Sequence, residues 1–204
     1  ALPRMAARMS TVASRRLVLL WVSLLPTVGL AVDVGRFPPG SGEPPAPWQM
    51  QRINDKLTPT LYNLREWDGV RAMEAHAKAS MALMARPLAV DLAQTPVLCW
   101  RWRVDAPLKT ADLRTKAGDD YAARIYITFA LKPEALDFST RTKLRLGRAI
   151  FGPQLPDAAI NYVWDNRNPI GTRAPNAYTD RTRIIVTRTG AADAGRREEE
   201  RRDV

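Results

Sequence analysis

Cysteine and histidine are almost missing from this chain: Cys99 and His76 stand alone among 204 residues. A lone cysteine makes no intrachain disulfide even in an oxidising compartment, and because Cys99 sits within an apolar alternation it is expected to be a small buried hydrophobe rather than a reactive thiol. A lone histidine excludes a multi-histidine metal centre. It also leaves a Ser-His-Asp site without a placed nucleophile, so His76, on the polar side of its segment, is read as a surface residue. Aromatic residues make up only 7% of the chain, and no apolar run reaches the roughly 20 residues of a membrane-spanning helix. The longest candidate, Leu17 to Ala31, is short and broken by Pro26.

That short run has another reading. Arg15-Arg16, the apolar stretch Leu17 to Leu25, and the small residues Gly29 and Ala31 have the three-part layout of a secretory signal, with cleavage expected after Ala31. An uncleaved anchor is the alternative. Met5 or Met9 is the expected start of this signal, and residues 1–31 are assigned to it. The protein is then periplasmic or secreted and meets a membrane only transiently, through the signal.

Charge of one sign dominates: 31 Lys and Arg against 21 Asp and Glu give a net +10. Part of the excess belongs to the signal, since Arg4, Arg8, Arg15 and Arg16 precede Val32 and no acidic residue does. The remaining cations are scattered, which fits a solvated surface rather than a specific nucleic-acid face. Envelope anions would still meet this surface at a raised rate.

Residues 32–47, with Phe37-Pro-Pro-Gly-Ser-Gly-Glu-Pro-Pro-Ala-Pro47, are too rich in Pro and Gly for a regular element and are read as a linker. Residues 48–204 are read as one domain. Asp68-Gly69 marks a turn. Val70 to Leu88 favours helix by composition, yet Met73, Ala75, Ala77, Ala79 and Met81 alternate with Glu74, His76, Lys78 and Ser80, which predicts a half-buried strand. In Val97 to Val104 the residues Leu98, Trp100, Trp102 and Val104 share a face opposite Cys99, Arg101 and Arg103. From Tyr121, the set Tyr121, Ala123, Ile125, Ile127, Phe129 and Leu131 lines one face, with Arg124, Tyr126 and Thr128 opposite.

Pro133 suits a first helical position, and Leu136, Thr140, Leu144 and Gly147 recur at helical spacing, so one helix is expected through Ile150. Ile160 to Trp164 and Arg183 to Thr187 read as strands, with a turn at Thr189-Gly190. The tail from Gly195 spaces opposite charges four apart, Arg196 with Glu200 and Glu198 with Arg202, and fits a solvated helix. The fold class is mainly β: a β-sandwich or jelly-roll-like domain with one inserted helix.

The residues Trp100-Arg-Trp-Arg-Val104, Lys116-Ala-Gly-Asp-Asp-Tyr-Ala-Ala-Arg124, Tyr162-Val-Trp164, Pro169-Ile-Gly171 and Tyr178-Thr179 resemble a bacterial family designated domain of unknown function 3047. The resemblance covers roughly Trp48 to Val204, and the Lys116 to Arg124 block is its most specific part. It implies an exported, mostly β domain of unassigned activity and supplies no catalytic residues. Members continue into further strands beyond the position of Val204, so it also implies that the C-terminal strands of the sandwich are lacking here.

Asp119 and Asp120 follow Gly118, which permits a tight turn, and Arg124 lies close along the next strand. Adjacent strand residues diverge, whereas glycosidase carboxyl pairs converge across about 5–9.5 Å. These two therefore make a poor catalytic pair by themselves. An ion pair of Asp119 or Asp120 with Arg124 or Arg103, organising the loop, is the plainer reading. Asp112, Asp119, Asp120 and Asp165 are oxygen donors of the kind calcium takes, but they form no contiguous calcium loop. Trp100 and Trp102 are read as core. Trp164, Tyr162 and Tyr178 border the loop Asp165 to Gly171, whose Asn and Arg side chains suit hydrogen bonds to sugar hydroxyls.

No residue set specifies a reaction, so no catalytic residues and no cofactor are assigned. The expected ligand-binding residues are Asp119, Asp120, Arg124, Trp164, Asn166 and Tyr178. The expected function is non-catalytic binding of a glycan or other envelope component. A carbohydrate-active enzyme using an Asp of the Gly118 to Asp120 loop, or a structural subunit completed by an envelope protein, are the alternatives.

Overall fold

A computed structural model describes residues 31–39, 42–151 and 155–204. The signal assigned to residues 1–31 therefore lies, except for Ala31, outside the described residues. From Asp33 to Val204 the chain forms one compact unit that is mainly β, with a single α-helix among the described residues.

The centre is a four-stranded mixed sheet of β6 (Ala123–Phe129), β7 (Ala158–Asp165), β9 (Thr179–Thr189) and β8 (Arg173–Asn176), in the order β6-β7-β9-β8. β7 is antiparallel to β6 and parallel to β9, with a register irregularity between Val163 and Trp164. It is buried on both sides, because Val163 and Trp164, which point to opposite faces, are both wholly inaccessible. The described strands also form three two-stranded ribbons: β1 (Gln49–Gln51) with β4 (Leu83–Ala85), β2 (Leu61–Trp67) with β3 (Val70–His76), and β5 (Val97–Trp102) with β10 (Glu198–Asp203).

The expected alternation places β5 well. Trp102 and Val104 are buried with Trp164, while Trp100, Ala123 and Ile125 pack against them. The Trp100 ring lies 5.2 Å from that of Tyr162, and Trp102 lies 5.7 Å from Trp164. The β5–β10 ribbon thus covers the β6–β7 half of one face of the central sheet. The other face carries Val163, Ile184 and Val186, packed under Leu113 and Tyr121 of the long segment between β5 and β6.

Four local expectations are corrected. Cys99 is exposed: it shares the outer face of β5 with Arg101, and only the opposite parity meets the core. The Val70–Leu88 segment is not one strand, because β3 ends at His76, Ala79 takes a positive φ of 46°, and β4 pairs elsewhere. Asp68 and Gly69, with φ of 49° and 70°, make the tight turn that joins β2 to β3.

The third concerns the helix. Pro133 opens a 3₁₀ turn (Pro133–Ala135), and α1 spans Phe138–Phe151. Its start is set by Asp137, whose carboxylate accepts from the Thr140 backbone N–H at 2.9 Å and from its hydroxyl at 2.6 Å. The expected stripe holds nonetheless: Leu144 is buried, and Leu136, Thr140 and Gly147 are half-buried.

The fourth is the tail, which is strand β10 rather than a helix. Its register sets Glu200 opposite Trp100 and Arg202 opposite Leu98. Glu198, Glu200 and Arg202 therefore share the inward face, where Arg188 of β9 meets Glu200 at 2.5 Å and Glu198 at 3.1 Å, and Arg202 meets Glu200 at 2.6 Å. A salt-bridged seam replaces the expected pairs along a helix.

Candidate functional site

The residues that converge lie on the face of the central sheet away from the β5–β10 ribbon, at the Gly118 to Arg124 segment. Gly118 is required there by crowding. A Cβ at this position would stand 2.7 Å from the Asp112 backbone nitrogen and 2.8 Å from its carbonyl oxygen. The close approach is closed by the Asp112 N–H donating to Gly118 O at 2.8 Å, and it aims the next two residues apart.

Asp119 turns inward, its side chain 8% exposed. One carboxylate oxygen, Oδ2, accepts from Asn176 Nδ2 of β8 at 2.7 Å. The other, Oδ1, lies 3.8 Å from the Arg124 guanidinium and has no hydrogen-bond partner among the described residues. Arg124 also donates to the Asp119 carbonyl oxygen at 2.9 Å and spans the Tyr121 ring at 4.7 Å. The expected Asp119–Arg124 pairing is thus present, whereas Arg103 pairs with Asp105 instead. Asp120 turns outward and accepts from the Tyr121 N–H at 3.0 Å.

Tyr121 is buried, and its hydroxyl lies close to the Asp119 carboxylate without a well-formed hydrogen bond to it. Burial, and then the Asp119 charge, push its phenol well above the usual tyrosine value, with Arg124 partly opposing them. Asn161 of β7 lies on the same face, in register between Tyr126 and Ile184. It is 0% exposed, and neither its Oδ1 nor its Nδ2 has a partner among the described residues. A buried polar atom left unpaired costs about 1–3 kcal/mol, so three side chains with spare capacity on one face mark a place for polar company.

The cluster reaches solvent at Tyr178, 64% exposed. Its hydroxyl donates to Lys116 O at 3.1 Å, the Lys116 ammonium sits 5.4 Å from its ring centre, and its N–H donates to Asn176 Oδ1 at 2.9 Å. Tyr178 and Asn176 therefore hold the Lys116 to Asp119 turn against the β8–β9 hairpin while leaving an aromatic face open.

Of the six expected residues, Asp119, Arg124 and Tyr178 belong to this cluster, and Asp120 stands beside it facing solvent. Trp164 does not join it. It is wholly buried against Trp102 on the opposite face of the sheet, with its indole N–H donated to Gly190 O at 3.0 Å. Asn166 serves as a tie, donating to the carbonyl oxygens of Lys109 and Ala111 at 3.1 Å each.

Asp165 is closed by Asn166 and Asn168, whose donors reach it at 2.5 Å each. Asp112 is held by Arg114 at 2.9 Å, which with a further hydrogen bond from the Arg114 N–H brings its carboxyl down to about 2. The four aspartates are accordingly separate. Among the described residues no three His, Cys, Asp or Glu side chains come together to hold a metal.

Sequence reasoning missed Tyr121, Asn161 and Asn176. Tyr121 reads as the apolar start of a strand and Asn161 as a tolerated polar residue in one. Only the fold shows that they share a face.

Among the described residues no helix is long and apolar enough to cross a membrane. The family model described as "Protein of unknown function (DUF3047)" matches residues 46–204, starting just before β1 and running through β10. No curated protein and no solved structure matches the chain. With its model matched over the whole described β domain, the chain belongs to the DUF3047 family.

Proposed function

We propose that this is an exported, non-catalytic binding domain of the bacterial envelope whose ligand is a polyhydroxylated glycan, held at the Asp119–Arg124–Asn176–Tyr178 cluster. The observation that carries this reading is the grading of that cluster. Buried polar atoms with spare capacity at Asn161, Tyr121 and Asp119 share a face with a partly exposed guanidinium and an exposed, pinned aromatic ring. A sugar presents both donors and acceptors on its rim and an apolar ring face. A carboxylate, a guanidinium and an amide match the first, and the Tyr178 ring matches the second.

Binding rather than turnover is favoured by the carboxylates. Asp119 and Asp120 diverge, and Asp165 is closed by its own loop, so none of these three faces another across a substrate-sized gap. Export rests on the signal-like residues 9–31.

Titration calorimetry against a panel of envelope polysaccharides tests the reading. The wild type is expected to bind at least one of them without releasing products, Asp119→Asn to bind weakly, and Tyr178→Ala to lose affinity while unfolding as the wild type does. Failure to bind any polysaccharide, or equal binding by Tyr178→Ala, overturns it.

A further inference from the structure

The opposite face of the central sheet holds a second feature. The β5–β10 ribbon covers only the β6–β7 half of that face, and where it stops there is a cleft of about 250 Å3, lined by Tyr162, Arg173, Ile185, Arg202 and Asp203 among others. The floor is one row across three strands: Arg173 of β8 is in register with Ile185 of β9, and Ile185 with Tyr162 of β7. The wall is the end of β10, fixed by the Tyr162 hydroxyl donating to Asp203 O at 2.7 Å.

Arginine outnumbers acid at the cleft, where Arg173, Arg201 and Arg202 stand with Asp203. Arg183 lies two residues before Ile185 on β9, on the same side of the sheet, and opposes Pro175 in the β8 register, so it is the diagonal neighbour of Arg173. Both arginines are exposed. Several other arginines are paired with acids: Arg188 and Arg202 meet Glu200, Arg148 meets Asp157, and Arg65 meets Glu74. Among the described residues neither Arg173 nor Arg183 has an acidic partner or a side-chain hydrogen bond. Arg202 adds a third cation at the wall, already engaged with Glu200.

Two guanidinium forks without acidic partners stand on neighbouring strands, Arg173 lining the Tyr–Ile floor and Arg183 one register step along the same face. Such forks match tetrahedral oxyanions and hold them with charge-assisted bonds. The geometry points to a binding site for a phosphate monoester on a small soluble molecule, held between Arg173 and Arg183 with its organic part against Tyr162 and Ile185. This site lies on the other side of the sheet from the glycan cluster and does not depend on it.

Titration calorimetry with inorganic phosphate, glucose 1-phosphate and glucose tests it, with pelleting on phosphatidic acid vesicles as a separate arm. Glucose 1-phosphate is expected to bind, inorganic phosphate to bind more weakly, and glucose not at all. Arg173→Gln and Arg183→Gln should each weaken glucose 1-phosphate by about tenfold, and the double variant should abolish binding, with unfolding midpoints unchanged. Arg103→Gln, on the outer face of the ribbon, should bind as the wild type does. No binding of either phosphate, binding insensitive to both substitutions, or binding confined to vesicles overturns the proposal.

Discussion

Arg188 of β9 donates to Glu200 of β10 at 2.5 Å, and the Glu200 side chain is 1% exposed. This bond joins the ribbon to the central sheet through charge rather than through the aromatic packing that holds the rest of that layer. Burial opposes the charge on Arg188, but its hydrogen bond to Glu200 and the charges of Glu200, Glu198 and Asp193 outweigh it and raise the guanidinium above its usual value.

Removing one member of such a pair strands the other, at about 3–5 kcal/mol for a fully buried site. Arg188 is partly exposed and keeps Glu198 and Asp193, so Glu200→Gln is expected to cost about 2–3 kcal/mol. Urea unfolding checks this, and a midpoint equal to the wild type would show that the seam contributes nothing.

The tail also shows why part of the fold was legible in the sequence and part was not. β6 alternates apolar with polar residues, so parity alone assigns its faces. In Arg196-Arg-Glu-Glu-Glu-Arg-Arg-Asp203 both parities are charged, and opposite charges also fall four apart. The pattern then satisfies a helix as well as a strand, and what decides is Arg188, distant in sequence and itself within a strand. Cys99 was misplaced for the converse reason, since its neighbours are apolar but its parity is that of Arg101. For the site, the Gly118-Asp-Asp turn and Tyr178 were visible as loop chemistry. Asn161 was not, because a single Asn in a strand signals nothing until its neighbours across the sheet are known.

Acid should loosen the link between helix and sheet. Asp157 is buried, accepts from the Leu131 N–H at 2.8 Å and from Arg148 of α1 at 2.7 Å, and its carbonyl oxygen accepts from Arg181. Burial alone would raise its carboxyl, but those two hydrogen bonds and the Arg148 and Arg181 charges together bring it below the usual carboxylate value. A carboxylate depressed in the folded state stabilises above its unfolded pKa, and that contribution is lost as pH falls through the folded value. Asp157→Asn is therefore expected to lower the melting temperature at pH 7 and to differ less and less from the wild type below about pH 4. A gap that stays constant down to pH 2 would falsify this account of Asp157.

Gly118→Ala tests crowding without any change of charge. The added methyl would meet Asp112 backbone atoms rather than a flexible side-chain end, so the 112–118 turn must open. The expected cost is about 1–3 kcal/mol, as for an overpacked core. Because the turn carries Asp119 onto Asn176, glycan affinity should fall with it. Retained stability and retained affinity together would mean that the turn relaxes freely.

Trp164 and Tyr178 separate packing from recognition. Trp164 is wholly buried and gives its indole N–H to Gly190 O, so Trp164→Ala removes a large core side chain and leaves that carbonyl oxygen without its donor. The expected loss is about 3–5 kcal/mol, enough to unfold much of the protein at 37 °C, and any loss of glycan binding in that variant would report unfolding. Trp164→Phe keeps most of the volume and should retain binding at 15 °C while unfolding at lower urea. Tyr178→Ala removes an exposed ring whose side-chain contacts are a hydroxyl bond to Lys116 O and the exposed Lys116 ammonium over its face, so stability should change by about 1 kcal/mol or less. Affinity and stability should therefore move independently across these three variants. If affinity instead tracks stability, the Tyr178 face is only surface, and the glycan site lies elsewhere.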